Sequence, residues 1–581
     1  MPMSLVSATP DGRISTRTST LVAWSLVVAI ALTVAVSSLG SYQTLGTHEV
    51  VAAEPARAML HSGDWIVPRY GDVPRIRKPP LVYWLVASSG WLFGEFSEFA
   101  VRFHSAIAFL GMVALMSLWA ARWYGREAAF GAAIVQTTSF WAIFYGRHVE
   151  IDMVMCLLTT AAMFLIATQP ADEPASRARW RWIGILTLIG LTWLAKFHYG
   201  TTMVFGPVFV LWALQRQWRK WLNFVNPIGL LILIACLVIW PWLLLRECPE
   251  ALDRWRFETV GRATGEIGYV AWWFYGPQLL LFSLPWLGHV LFAVPPSWRR
   301  AWRYGDERER FLWIWLVADV VVISLSPNKH ANYLLAAMPV TTLLASQSFA
   351  RGLARFHRDA LRIPKLVPHV VALTVVVIGV AINWLVTAKS PAIQAGILGA
   401  TGVGLCGVIL IWWCWQRKWW SAAGWTALAS ALGALLVVLS VVTPELDRHR
   451  ITVEFAQQLR QEVLRDQPVC VYVRKGTLPG FHPSIFYLDE PVYQVSTLAE
   501  LLQEVKRSGD LLAVVERESL PRFRTVAPFV DLQEIARMTQ MVGSREAPLV
   551  CVRLTDRREI DRPTATATKD SSTVAEPTKR R

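Results

Sequence analysis

The chain has 581 residues, 54% of them hydrophobic and only 17% charged, with 30 Trp and a mean hydropathy of +0.37. Soluble globular chains carry about 25% charged residues, so the composition excludes an ordinary soluble enzyme and implies a polytopic α-helical membrane protein. The formal charge of +15 falls in short Lys/Arg clusters between apolar runs; with no long basic face and no reader motif, nucleic acid is excluded as a partner.

Residues 1–19 are polar and read as a cytoplasmic N-terminus, and Leu21 to Leu39 is an apolar run close to the ~20 residues of a spanning helix. No small-residue cleavage motif clearly follows it, so an uncleaved first span is expected. The next stretch, 41–97, is the first extracytoplasmic loop with surface helices. It contains GTHEVVAAEPARAMLHSGDWIVPRYGDVPRIRKPP at 46–80, which crowds acids, imidazoles and cations between two apolar segments. Leu81 to Phe93 is too short and too amphipathic for a confident span and is expected to lie along the surface.

Further spans are expected near 98–120, 127–145, 152–168, 182–197, 199–215, 227–246, 271–294, 311–326, 332–349, 368–387, 395–415 and 421–442, about thirteen with the first. On that reading every basic cluster shares one face, including Arg122 with Arg126, Arg177 with Arg179 and Arg181, and Arg299 with Arg300 and Arg303. That face is cytoplasmic by the positive-inside rule. The opposite face receives the first loop, the RHVEID turn at 147–152, the AKFHYG turn at 195–200, the loop 246–270 and the SPNKHANY turn at 326–333. Residues 20–443 thus form the membrane domain. From 444 to 555 apolar runs such as VCVYV, IFYL, LLAVV and VCVRL alternate with helical patterns at 453–464 and 497–506, the signature of a small α/β domain on the extracytoplasmic side. The stretch 556–581 lacks core-forming residues and reads as a disordered tail. Of the seven cysteines, none forms a CxxC pair or a Cys/His zinc spacing. Cys470 and Cys551 both fall in expected strands, where a disulfide and two buried thiols are both open.

The ionisable groups on the extracytoplasmic face are the functional candidates, because charge held against hydrocarbon is costly. His48 and Glu49 stand at the exit of the first span. Glu54 and Arg57, three apart, read equally well as an intrahelical ion pair worth a few tenths of a kcal/mol. Arg75, Arg77 and Lys78 precede a double proline that keeps the backbone extended; this cationic strand suits either a phosphate or lipid headgroups, with Lys78 favoured as the phosphate ligand. Glu150 reads equally well as a helix cap, whereas Asp152 sits inside an apolar run. Lys196, His198 and Lys329 interrupt apolar segments, and with Arg262 they suggest a common anionic ligand, although snorkelling lysines explain some such cases.

EPARAMLHSGDWIVPRYGDVPRIRKPPLVYWLVASSGWLFGEFSEFAVRF resembles the signature of the bacterial aminoarabinose transferase family, related to the protein O-mannosyltransferases in the GT-C superfamily. The likeness continues through Asp152, LAKFHYG, FETVGRATGE, AWWFYGP and NKHANYLLAAMP, over about 440 residues, with the first signature specific and the terminal domain matching only in character. The resemblance implies a plasma-membrane glycosyltransferase with a polyprenyl-phosphate sugar donor, an extracytoplasmic acceptor (a lipid A-like glycolipid, another glycan or a protein) and inversion at the anomeric carbon. It makes Lys78 the phosphate-binding lysine and Asp152 the second-loop acid, and places Lys329 and Tyr333 in a later active-site turn. Four positions depart from the family pattern: His48 for Asp, Ala52 for Tyr, Phe197 for Gly and Asn332 for His.

Together these readings make Glu49 and Asp152, with His48, the groups that orient the acceptor. A divalent cation on the same three is the alternative use of those side chains. Lys78, Lys196, Arg262, Lys329 and Tyr333 are the donor phosphate-binding set. The competing function class is a polyprenyl-linked sugar or lipid flippase, which would also need many spans and a basic phosphate site.

Overall fold

The computed structural model describes residues 16–40, 45–70, 73–261, 264, 268–359, 391–417, 469–472, 492–495, 497–537 and 549–556, with a few isolated positions between them. The chain divides into two compact units, Met1–Arg450 and Ile451–Arg581.

The first unit is helical. It opens with α1 (Thr16–Val36), α2 (Thr47–Ser62), a two-residue hairpin of β1 (Arg69–Tyr70) and β2 (Val73–Pro74), and α3 (Leu81–Phe93). There follow α4 (Glu98–Tyr124), α5 (Arg126–Thr138), α6 (Phe140–Gly146), α7 (Asp152–Ala167), α8 (Ala175–Lys196), α9 (His198–Leu214), α10 (Pro227–Glu247) and α11 (Ala251–Arg256). Later helices cover Tyr275–Phe282, Leu287–Trp302, Glu307–Leu325, Met338–Asp359 and Pro391–Gln416.

Local chemistry sets the ends of these helices. The Glu49 side chain accepts from the Gly46 N–H to close the first turn of α2, and Gly63, at φ 73°, ends it in the left-handed conformation. Ser97 caps α4 by accepting from Ala100 N–H, and Asn226 caps α10 ahead of Pro227. α3 has 13 residues, about 20 Å of helix against the ~30 Å of a bilayer core; with Trp91 and Leu92 exposed at its end, it fits a surface position.

Apolar faces meet in one large core in which Trp119 stacks on Trp315 at 5.6 Å, and Trp141, Phe109 and Met112 are fully buried. α8 and α10 approach closely because both offer glycine. A Cβ on Gly190 would lie 2.9 Å from Cys236 Sγ, and one on Gly229 would lie 2.7 Å from Leu186 Cδ1. The outer face of α10 (Leu231, Ile234, Val238, Ile239, Trp242) is exposed and apolar, as suits lipid.

Among the described residues, α4, α10 and Ala331–Gly352 are individually long and apolar enough to cross a bilayer, and two bent pairs qualify if each is taken as one span. The span expected at 127–145 is α5 and α6 at 58°, and that at 271–294 is Tyr275–Phe282 and Leu287–Trp302 at 110°. The expected spans at 368–387 and 421–442, and the tail beyond Asp556, lie outside the described residues.

The second unit carries a five-stranded sheet of β3 (Val469–Tyr472), β4 (Val492–Val495), β5 (Asp510–Glu516), β6 (Val530–Arg537) and β7 (Leu549–Asp556), in the order β4-β3-β5-β7-β6. β3 runs parallel to β4 and β5, while β7 is antiparallel to β5 and β6. Helix Leu498–Ser508 starts on a Thr497/Glu500 capping box and buries Leu501 and Val505 against the sheet. Of the expected strand IFYL, the described residues Phe486 and Tyr487 form a 3-10 turn, and the next described strand is Val492–Val495. The helix expected at 453–464 falls mostly outside the described residues.

Cys470 is in register with Ala513 on β5 and Cys551 with Val514. With β5 between them they lie about 9–10 Å apart on opposite faces of the sheet, beyond the ~7 Å limit for a bridge. Alkylation of the unreduced, denatured protein is therefore expected to modify both thiols; a mass showing either one protected by the other would contradict this register.

Candidate functional site

The first acid of the sequence is fully engaged by the scaffold. Glu49 lies on α2 with its carboxylate buried. Its Oε1 accepts from Arg102 Nε at 2.9 Å and from the Val149 N–H at 3.0 Å, and its Oε2 accepts from Arg102 Nη2 and the Gly46 N–H, both at 3.1 Å. Burial works against the charge, but the Arg102 guanidinium outweighs it and holds the carboxyl below its ordinary range. Arg147 is likewise structural, donating to the carbonyls of Val34 and Ser37 at the end of α1. These bonds pin α1, α2, α4 and the 147–152 turn together.

Beside this clamp lies a second cluster. Asp152 opens α7 and is buried; its Oδ1 accepts from Lys196 Nζ, the last residue of α8, at 2.6 Å and from Asn332 Nδ2 at 3.1 Å. The Lys196 ammonium also lies over the Tyr333 ring at 4.8 Å and the Tyr199 ring at 5.2 Å. Those rings pack at 4.9 Å, and the Tyr199 hydroxyl donates to the Tyr333 carbonyl. Glu150 shares a side-chain hydrogen bond with Asp152. Burial, and then the Asp152 charge, push its pKa up to about 8.

Lys78 and His48 face the same cluster from the first loop. Lys78 reaches solvent, and the surrounding protein, through burial first and then the Lys196 charge, lowers its pKa. Asp152, Glu150 and Arg75 are its other electrostatic neighbours. Burial, then Lys78 and Arg75, lower the His48 pKa, with Asp152 opposing them, so the imidazole is neutral at pH 7 and able to accept a proton. Arg75 is held by the Tyr83 side chain.

An aromatic box joins the two lysine-bearing segments. Phe197, between Lys196 and His198, has φ 50° and ψ −142°, a region that costs a non-glycine residue of order 1–3 kcal/mol. Its ring is held by Trp193 at 5.2 Å, Trp255 at 5.4 Å and Trp240 at 6.4 Å. Trp255 Nε1 donates to the Ile76 carbonyl at 2.6 Å, and Trp240 Nε1 to the Ile66 carbonyl at 3.0 Å.

Of the residues singled out in the sequence, His48, Lys78, Asp152, Lys196 and Tyr333 come together. Glu49 is adjacent but has its lone pairs filled by the scaffold. Lys329 is buried and donates to the Ser326 and Val270 carbonyls at 2.6 and 3.1 Å, fastening the 326–333 turn to the preceding loop. Arg262 lies outside the described residues. Glu54 and Arg57 form the intrahelical pair at 3.3 Å. Among the described residues no three His, Cys, Asp or Glu side chains assemble as a metal-ion set, and the Glu49 carboxylate is taken up by Arg102, Val149 and Gly46. Sequence reasoning missed Asn332 and Tyr199. Asn332 stood out only as a departure from a family pattern, and Tyr199 gave no sign beyond its place one turn from Lys196.

The sequence profile of the dolichyl-phosphate-mannose-protein mannosyltransferase family matches residues 18–257. An undecaprenyl phosphate-alpha-4-amino-4-deoxy-L-arabinose arabinosyl transferase of Edwardsiella ictaluri is 31% identical over 409 residues, 66% of this chain and 71% of the relative. Its namesake in Photorhabdus laumondii is 26% identical over 393 residues, 65% and 69% of the respective chains. The crystal structure of ArnT from Cupriavidus metallidurans bound to undecaprenyl phosphate superposes with a TM-score of 0.72 at 20% identity, covering 92% of this chain and 98% of that one. At that identity the likeness shows the fold, the GT-C membrane architecture.

Replacing Glu49 with Ala removes both bonds that its carboxylate accepts from the buried Arg102 guanidinium, leaving the longer Glu98 pair at 3.9 Å, and is expected to cost about 3 kcal/mol, read from chemical denaturation in detergent; a loss below about 1 kcal/mol would contradict the clamp. Glu150 supplies the pH dependence. Its folded pKa lies above the unfolded one, so the folded state binds the extra proton, and stability falls as pH rises from about 4.5 to about 8. Glu150→Gln should flatten the thermal-unfolding profile across that window, and an unchanged slope would refute the assignment.

Proposed function

Because the chain belongs to the family of undecaprenyl phosphate-aminoarabinose arabinosyl transferases, we propose that it transfers a sugar from a polyprenyl-phosphate donor to an extracytoplasmic acceptor. The observation that carries this reading is the convergence of Lys78 and Lys196 with Asp152 in one solvent-reachable site. Two cations beside a buried carboxylate suit a lipid-linked phosphate, whose charge grows as the sugar departs.

In the proposed step the acceptor oxygen attacks the anomeric carbon from the face opposite the phosphate. The carbon–oxygen bond to the phosphate breaks, and polyprenyl phosphate leaves with its electron pair. Lys78 and Lys196 bind that phosphate, and Tyr333 completes the cradle of Lys196. Asp152 orients the acceptor. A hydroxyl acceptor gives its proton to His48, the neutral base facing the site, whereas a phosphate acceptor is already anionic and has no proton to lose. Lys329, spent on two carbonyls, holds the turn. We place this site on the extracytoplasmic side of the inner membrane, with the 444–555 α/β domain on the same side, because the basic clusters then share the cytoplasmic face. The transporter alternative is not favoured: the relatives are transferases, and the polar groups gather at one site.

The test is a transfer assay with purified protein in nanodiscs and a panel of radiolabelled polyprenyl-phosphate sugars. Wild type is expected to release polyprenyl phosphate, and Lys78→Ala or Asp152→Asn to lower kcat/KM by about 100-fold or more with the fold intact. No turnover with any donor by folded wild-type protein would overturn the reading.

A further inference from the structure

We propose that Phe197 and Trp255 are positioning residues that fix the placement of Lys196 against Lys78, and so set the donor-phosphate site; the inference rests on the donor reading above. Three observations carry it. First, Phe197 occupies backbone space natural to glycine, at φ 50° and ψ −142°, immediately after Lys196. A strained residue persists only where its surroundings over-determine it. Second, the ring is what over-determines it, wedged among Trp193, Trp240 and Trp255. Third, Trp255 is tied to the other lysine-bearing segment, because its indole N–H donates at 2.6 Å to the carbonyl of Ile76, two residues before Lys78.

The path from one ammonium to the other is therefore short and made of rigid parts. It runs from Lys196 through the adjoining Phe197 backbone and ring to the Trp255 indole, then to Ile76 and the turn that leads through Lys78 to Pro79 and Pro80; the extended cationic strand expected from the sequence ends at Pro74. Double proline stiffens the far end. At the near end, the turn at Phe197 directs Lys196 onto Asp152 and the Tyr199 and Tyr333 rings. Two like charges facing one site repel; after burial, the Lys196 charge is the largest cause of the lowered Lys78 pKa. A clamp that prevents them from drifting apart keeps the site ready for an anion without reorganisation on binding.

The experiment measures binding of undecaprenyl phosphate to the full-length protein in detergent, for wild type, Phe197→Ala, Phe197→Gly, Trp255→Phe and Lys196→Ala, and for the Phe197→Ala/Lys196→Ala double variant. Phe197→Gly separates ring from backbone, since glycine adopts the turn without strain but offers nothing to the tryptophans. Trp255→Phe keeps an aromatic ring and removes only the bond to Ile76. Both Phe197 variants are expected to weaken binding by about tenfold or more, and Trp255→Phe by about threefold or more. In the Lys196→Ala background the Phe197 effect is expected to vanish, because a residue acting through Lys196 has nothing left to position. Unchanged affinity in Phe197→Gly and Trp255→Phe, or losses that simply add in the double variant, would overturn the inference. If Phe197→Ala fails to fold, the glycine and Trp255 variants decide the matter. Wild-type protein that folds but does not bind undecaprenyl phosphate would overturn the donor reading itself, whereas normal wild-type binding with unaltered variants would overturn only the positioning role.

Discussion

The Asp152 carboxylate and the Lys196 ammonium lie 2.6 Å apart inside a helical bundle, and the site is arranged around keeping them there. Each charge alone would carry a desolvation cost of several kcal/mol, and their attraction repays that cost only when geometry and further bonds are good. The chain provides those bonds from three places in the sequence. Asn332 donates to the same carboxylate oxygen, while Tyr199 and Tyr333 offer ring faces to the ammonium. The start of α7, the junction of α8 with α9 and the 326–333 turn must therefore meet at one point, and the bundle is built to let them.

The Glu49–Arg102 pair uses the same physics for another end. All of its bonds run to fixed scaffold groups: a guanidinium on α4 and two backbone amides. Nothing in that set can be exchanged for a ligand without breaking the joint between α2 and α4. The Asp152 contacts are side-chain contacts from end-of-helix and turn residues, and the Lys196 ammonium lies between that carboxylate and its two rings. Two buried acids thus divide into a rivet and a working group, a distinction set by their partners rather than by residue type.

That distinction was invisible in the sequence. Spacing and hydropathy were enough to mark where charge interrupts apolar runs, and so to pick out Lys78, Asp152 and Lys196. They could not say which acid would meet an arginine 53 residues away, because long-range pairing leaves no local pattern. Lys329 carried the same sequence signal as Lys196, yet its ammonium is absorbed by two carbonyls of a loop whose course only the fold determines. The helical character of the chain was legible from composition, and the short length of α3 from the bounds of its apolar run. The bends at 139 and 283–286 were not, since apolar content continues across both breaks. In the second unit, alternation revealed three of the five strands in place but neither the sheet order nor the register that separates Cys470 from Cys551.

The imidazole at position 48 gains meaning from the same electrostatics. Burial, then Lys78 and Arg75, disfavour a proton on His48, with Asp152 opposing them, so the imidazole is a weak base. On the proposed donor reading, an arriving phosphate sets negative charge beside those cations and screens them from the ring. The basicity of His48 then rises at the moment an acceptor must be deprotonated and is low before it. An aspartate at the same place would be ionised with or without donor and could not be switched in this way. On that reading the imidazole responds to donor charge through Lys78 and Arg75, with burial as the larger and constant contribution.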